Sequence, residues 1–140
     1  MPSEKLTDED LKAILTRVKT IAVVGISTNP SRDSHRVAAY LKKNGYRVIP
    51  VNPGAEEILG EKSYPDLLSI NEPVDVVDVF RRPEFVPEVA DQAVKIKAKV
   101  LWMQLGVSNE EAADKARLAG ITVVQDHCMM AEHARLIGSK

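Results

Sequence analysis

The chain has a single cysteine, Cys128, among 140 residues. One thiol excludes an intramolecular disulfide framework and any zinc site built from paired cysteines. A basic excess is also missing. The formal net charge is -1, whereas nucleic-acid binders carry positive charge to neutralise the phosphate backbone, so generic DNA or RNA binding is not expected. A local basic loop for one small anion stays open. No apolar run approaches the roughly 18 residues that a membrane span needs. The start, Met1 to Asp10, is too acidic and polar for a signal peptide. These absences predict a cytoplasmic protein with no membrane association. Repeats, linkers and low-complexity segments are absent as well.

Apolar residues make up 44% and charged residues 28%, a globular balance with enough Val, Ile and Leu for a buried sheet. The length suits one domain over residues 1–140 and leaves no room for a nucleotide domain beside a separate catalytic one. Thr7-Asp8-Glu9-Asp10 places a capping hydroxyl and three carboxylates before Leu11 to Val18, which reads as a leading helix. Ile21-Ala22-Val23-Val24-Gly25 has the continuous apolar pattern of a strand buried on both faces. A loop follows, then a helix begins near Ser34, carries Val37, Ala38 and Leu41 on one face, and ends near Asn44-Gly45.

Tyr46 to Val51 predicts a second strand, stopped by Asn52-Pro53-Gly54. From Glu57 to Ile70 the pattern is a short strand or turn, with one helical turn from Asp66. Val74 to Phe80 predicts a third strand, and Arg81-Arg82-Pro83 breaks it before a helix through Val86, Val89, Ala90, Ala93 and Ile96. Lys99 to Met103, Glu110 to Ala119, Ile121 to Val124 and Met129 to Ile137 continue the alternation. Four or five βα units result. The expected fold class is α/β: a single Rossmann-like, doubly wound, mainly parallel sheet with helices on both faces and right-handed crossovers.

In such sheets ligands lie beyond the carboxyl ends of the strands. After the first strand, Gly25, Ile26, Ser27 and Thr28 lead toward a helix start with Ser34, and Arg32 and Arg36 stand nearby. Free backbone amides, hydroxyls and guanidiniums at one helix start suit a pyrophosphate; the bland alternative is an ordinary connecting loop with solvated arginines. A nicotinamide dinucleotide is disfavoured. G-x-G-x-x-G would require glycine where the chain has Ser27 and Pro30, and the second strand ends in Val51-Asn52-Pro53 without the carboxylate that holds an unmodified ribose. A ribose bearing an extra phosphate, as in coenzyme A, would be repelled by such a carboxylate.

Phe80, Arg81 and Arg82, just beyond the third strand, can supply an apolar wall with guanidiniums that fork onto phosphate or stack on adenine. A core phenylalanine with a surface ion pair is the competing reading. Trp102 and Met103 fall inside a strand pattern and are read as core. Asp126-His127-Cys128 suggests an activated thiol, yet neighbours on a strand alternate sides, so a nucleophile built from these three is disfavoured. Cys128 could instead lie beside a ligand thiol. His127 and His133 lack a metal-ligand spacing such as H-E-x-x-H.

Val24-Gly25-Ile26-Ser27, Asn29-Pro30-Ser31-Arg32, Tyr46 to Pro53, Phe80-Arg81-Arg82-Pro83, Trp102 to Gly106 and Asp126-His127-Cys128 together resemble the stand-alone CoA-binding domain family. That family is related to the CoA-binding domain of the succinyl-CoA synthetase α-subunit. The likeness spans nearly the whole chain and implies a Rossmann-like domain with the ligand pyrophosphate over Gly25 to Thr28. It further implies that Arg32 or Arg36 meets phosphate, that Asn52 and Pro53 border the nucleotide, and that Phe80, Arg81, Arg82, Gln104, Leu105 and Gly106 line its path. The chain departs from the family pattern at Asp33, His35 and His127, where proline, tyrosine and arginine are common.

The expected function is binding of coenzyme A or an acyl-CoA without catalysis, since no convincing set of acid, base and nucleophile is present. The alternatives are an acyl-CoA-handling enzyme using Cys128 or His127, and a regulatory subunit docked to a partner or paired with itself.

Overall fold

The computed structural model describes residues 6–138, so Met1 to Lys5 of the acidic start lie outside the described residues. Helix α1, Asp8–Arg17, opens on a reciprocal cap. The Asp10 amide donates to the Thr7 hydroxyl at 3.1 Å, and the Thr7 amide donates to the Asp10 carboxylate at 2.9 Å, which satisfies two otherwise orphaned donors. The strands that follow are β1 (Thr20–Val24), β2 (Arg47–Val51), β5 (Val76–Val79), β6 (Val100–Met103) and β7 (Thr122–Val124). They alternate with helices α2 (Asp33–Lys43), α3 (Val86–Lys95), α4 (Glu110–Leu118) and α5 (Met129–Leu136).

The five strands form one sheet in the order β2-β1-β5-β6-β7, and every pairing in it is parallel. This is the expected doubly wound architecture. Ala22, Val24, Val77, Val79, Leu101 and Met103 face α3 and α4 in one core. Ile21, Val23, Val76, Val100 and Trp102 face α1, α2 and α5 in the other. Two covered faces explain why the strands read as unbroken apolar runs. Trp102 and Met103 are fully buried, as their strand pattern predicted.

The third strand starts later than the sequence pattern suggests, at Val76, because the Asp75 carboxylate turns back and accepts from the Lys19 and Thr20 amides at 2.8 and 3.1 Å. The ambiguous stretch from Glu57 to Ile70 becomes a small antiparallel hairpin, β3 (Glu57–Ile58) with β4 (Glu61–Lys62), then a 3₁₀ turn at Leu67–Ser69. Between them Tyr64 makes a single parallel bridge to Val51. This bridge, with the Tyr64 amide donating to Pro50 O at 3.0 Å and the Asn52 amide to Tyr64 O at 2.9 Å, covers the outer edge of β2. An edge position also accommodates Pro50 within β2, since proline has no amide to donate outward.

Chain order reverses between β1 and β5: β2 lies on one side of β1, while β5, β6 and β7 run off on the other. Loops leaving β1 and β5 therefore diverge, and a crevice opens above their carboxyl ends, where open α/β sheets bind ligands.

Candidate functional site at the strand switch point

Gly25 is fixed at this point by both conformation and space. Its φ is +87°, and a Cβ there would sit 2.4 Å from the Phe80 carbonyl oxygen, so only glycine lets the β1 and β5 ends approach so closely. The Gly25 amide donates to Val51 O at 3.1 Å and the Phe80 amide to Val24 O at 2.8 Å. Three strand ends are thereby stitched together beneath the loop.

The loop beyond Gly25 is held largely by its own side chains. Ser34 is buried, and its hydroxyl accepts the Ser27 amide at 2.9 Å. The Ser27 hydroxyl accepts the Asn29 amide at 3.0 Å, and Asn29 Oδ1 accepts the Ser31 amide at 3.0 Å. The two serines expected to meet phosphate thus first serve to shape the bend, each keeping a hydroxyl proton to donate. The amides of Ile26, Thr28, Asp33 and Ser34 have no partner among the described residues. They are the donors available to an anion at the head of α2. Arg32 caps α2 without a side-chain bond of its own, while Arg36 is paired with Asp33 on the exposed face of the helix. Asn52 reaches across from the end of β2, donating to Ile26 O at 2.8 Å and accepting the Gly54 amide at 2.7 Å.

A pocket of about 470 Å³ opens beside this loop on the α3 side of the sheet, within the size range of small-molecule sites. Of the residues singled out in the sequence, it gathers Gly25, Ile26, Asn52, Pro53 and Arg81. Its other walls come from Val24 and Val51, from Pro65, Asp66 and Leu67 before and within the 3₁₀ turn, and from Phe85, Glu88, Val89 and Gln92 at the head of α3. Sequence reasoning missed this second group. The signal available was helical spacing, since Phe85, Glu88, Val89 and Gln92 repeat at intervals of three and four and share one face. Arg81 lies over the Phe85 ring, 4.6 Å from its centroid, a cation-π contact that sets the guanidinium at the pocket wall.

Asp66 and Glu88 bring two carboxylates into the pocket, although β2 itself ends without one. Like charges repel at close range, so the part of the pocket beside Asp66 and Glu88 suits uncharged groups, while Arg81 supplies positive charge to its wall. Among the described residues the Arg82 side chain makes no hydrogen bond or ion pair, and Phe80 is half-buried in the α2/α5 core.

The 104–106 segment behaves differently at each residue. Gln104 is buried; its amide nitrogen donates to Asp78 and its oxygen accepts the Met129 amide at 3.3 Å. Leu105 is 71% exposed. Gly106 donates to Asp126 Oδ1 at 2.7 Å. His127 Nδ1 lies 3.4 Å from Glu132 Oε1, and no recorded contact joins His127 to half-buried Cys128. The Asp-His-Cys run lies beyond β7, in a bend where Asp126 has φ of +58° and Cys128 caps α5, so the strand alternation assumed for it does not apply. Among the described residues no group of three or more His, Cys, Asp or Glu is placed to hold a metal ion, and no helix is long and apolar enough to cross a membrane.

The chain has relatives among proteins of known sequence and structure. The chain is 45% identical over 125 residues to YneT of Bacillus subtilis, an uncharacterized protein, covering 89% of this chain and 93% of that one. It is 34% identical over 96 residues to the ADP-forming acetate-CoA ligase II of Archaeoglobus fulgidus, covering 66% of this chain but only 14% of the ligase. A solved structure of a hypothetical protein from Pyrococcus horikoshii superposes with a TM-score of 0.93 at 48% identity, covering 99% of this chain and all 100% of the other. Residues 19–134 match the CoA binding domain family, a span that runs from the start of β1 into α5, and the chain belongs to that family.

Proposed function

We propose that this protein binds coenzyme A or an acyl-CoA in the cytoplasm, with no catalysis of its own. The adenosine end occupies the pocket beside α3, and the diphosphate crosses Gly25 to Thr28 toward the head of α2. The pantetheine arm leaves past Phe80 toward Gln104, Leu105 and Gly106. Family membership supports the ligand class. The single observation that supports the placement is the set of amides at Ile26, Thr28, Asp33 and Ser34 left unpartnered among the described residues, donors that suit a phosphate group at the head of α2.

A thermal-shift panel with coenzyme A, acetyl-CoA, NAD and ATP tests the reading. Ligand at about a hundred times its Kd adds roughly 2.7 kcal/mol, on the order of 8 °C for a domain of this size. Coenzyme A and acetyl-CoA are expected to raise the midpoint and NAD to leave it unchanged. A shift with NAD alone would overturn the proposal.

The ligase relative supports a second reading, a subunit that serves a partner, because the similar segment is a small part of a much longer chain. Monomeric behaviour in solution, with and without coenzyme A, would count against it.

A further inference from the structure

Asp78 is a fully buried acid in the middle of the sheet. It sits in β5 with no exposed surface, and its Oδ2 is the one buried side-chain polar atom without a hydrogen-bond partner among the described residues. Its recorded partner is Gln104, whose amide nitrogen donates to Oδ1 while its oxygen accepts the Met129 amide at the head of α5. An orphaned carboxyl oxygen in a core calls for an explanation, because desolvating it without a partner is unfavourable.

The register supplies one. Asp78 lies opposite Val23 of β1, and Gly25 follows two residues later. With a strand rise near 3.3 Å and a spacing near 4.8 Å, the Asp78 and Gly25 backbones are about 8 Å apart. Resting on the proposed function, we infer that filling the anion loop beyond β1 is coupled to uptake of a proton by Asp78, with Gln104 linking that change to the head of α5. A diphosphate over that loop, acting partly through protein interior, disfavours a carboxylate and favours the neutral acid. Linkage is reciprocal: loss of the Asp78 proton weakens anion binding by the same factor.

Burial already pushes Asp78 up to about 7, with the Gln104 hydrogen bond pulling the other way, so the group can exchange its proton at neutral pH. The titratable groups of α2 and α5 that are not solvent-exposed are His35, Tyr40, Glu132 and His133, with Cys128 at the cap of α5, and Arg81 and Arg82 follow β5. None hydrogen-bonds to Asp78.

Calorimetric titration of coenzyme A near pH 7.5, in HEPES and in Tris, measures the protons exchanged on binding. Wild type is expected to take up roughly half a proton per ligand, and Asp78→Asn to bind coenzyme A without that uptake. The ligand's own phosphate monoester, with a second ionisation near pH 6, gives a release of opposite sign that is common to both proteins. Equal proton exchange in wild type and variant would overturn the inference. Should the variant fail to fold, wild type alone decides: affinity falls several-fold between about pH 6.5 and 8.5, and a flat or rising profile contradicts the coupling. Binding heat that is the same in both buffers sinks the coupling and spares the proposed function; absence of binding heat in either sinks both.

Discussion

At the scale of single residues, two glycines with similar backbone angles separate conformation from contact. Gly25 and Gly106 have φ of +87° and +84°, but a Cβ at Gly106 meets nothing within 4 Å, whereas one at Gly25 meets Phe80 O at 2.4 Å. Gly106→Ala is expected to lose about 1 kcal/mol from backbone strain alone, and Gly25→Ala at least about 2 kcal/mol together with coenzyme A binding. Urea unfolding of the two variants checks the difference. Asp78 gives a pH test independent of ligand. Its folded value near 7 exceeds the unfolded value, so the native state holds the proton more tightly. Its contribution is fully present below about pH 4, declines by up to roughly 1.4 kcal/mol per pH unit, and is lost above pH 7. Asp78→Asn is expected to flatten that decline in unfolding midpoints measured across the range. Neither feature was equally legible. Gly25 stood out as a glycine closing an apolar run, but Asp78 sits in a strand covered on both faces, where polar-apolar alternation does not mark which carboxyl is buried.

At the scale of elements, the strands and long helices followed from hydrophobic periodicity because each has a wide apolar face to bury. The hairpin Glu57–Lys62 did not, since its strands are two residues long. It is fastened by ion pairs of Glu61 with Lys42 and Arg47, and of Arg47 with Glu72. Long-range contacts of that kind leave no local pattern. The head of α3 was missed for another reason: Glu88 and Gln92 border an apolar stripe, and such positions read as solvated surface until a pocket is seen beside them. Helix α2 carries the element-level prediction. Arg32 and Arg36 flank its first turn, where negative charge is favoured by the exposed amides. Arg32→Glu with Arg36→Glu should therefore leave the melting temperature of the free protein nearly unchanged. It should weaken coenzyme A by roughly tenfold or more, since two cations near phosphate become anions. Unchanged affinity would remove both arginines from the site.

At the scale of the whole molecule, the sheet order explains why one loop matters more than the others. Reversal between β1 and β5 opens the crevice, Gly25 lets the strand ends meet beneath it, and the free amides of the bend offer donors that would suit an anion on an otherwise mildly negative chain. The βα alternation made this architecture readable before the structure, while the pocket's far wall depended on packing of α3 and the 3₁₀ turn against the sheet. Backbone amide chemical shifts followed by NMR during titration with coenzyme A test the central claim most directly. The account predicts the largest saturable shifts at Gly25, Ile26, Thr28, Asp33 and Ser34. Saturable binding that leaves those five amides unmoved and shifts others instead would contradict it.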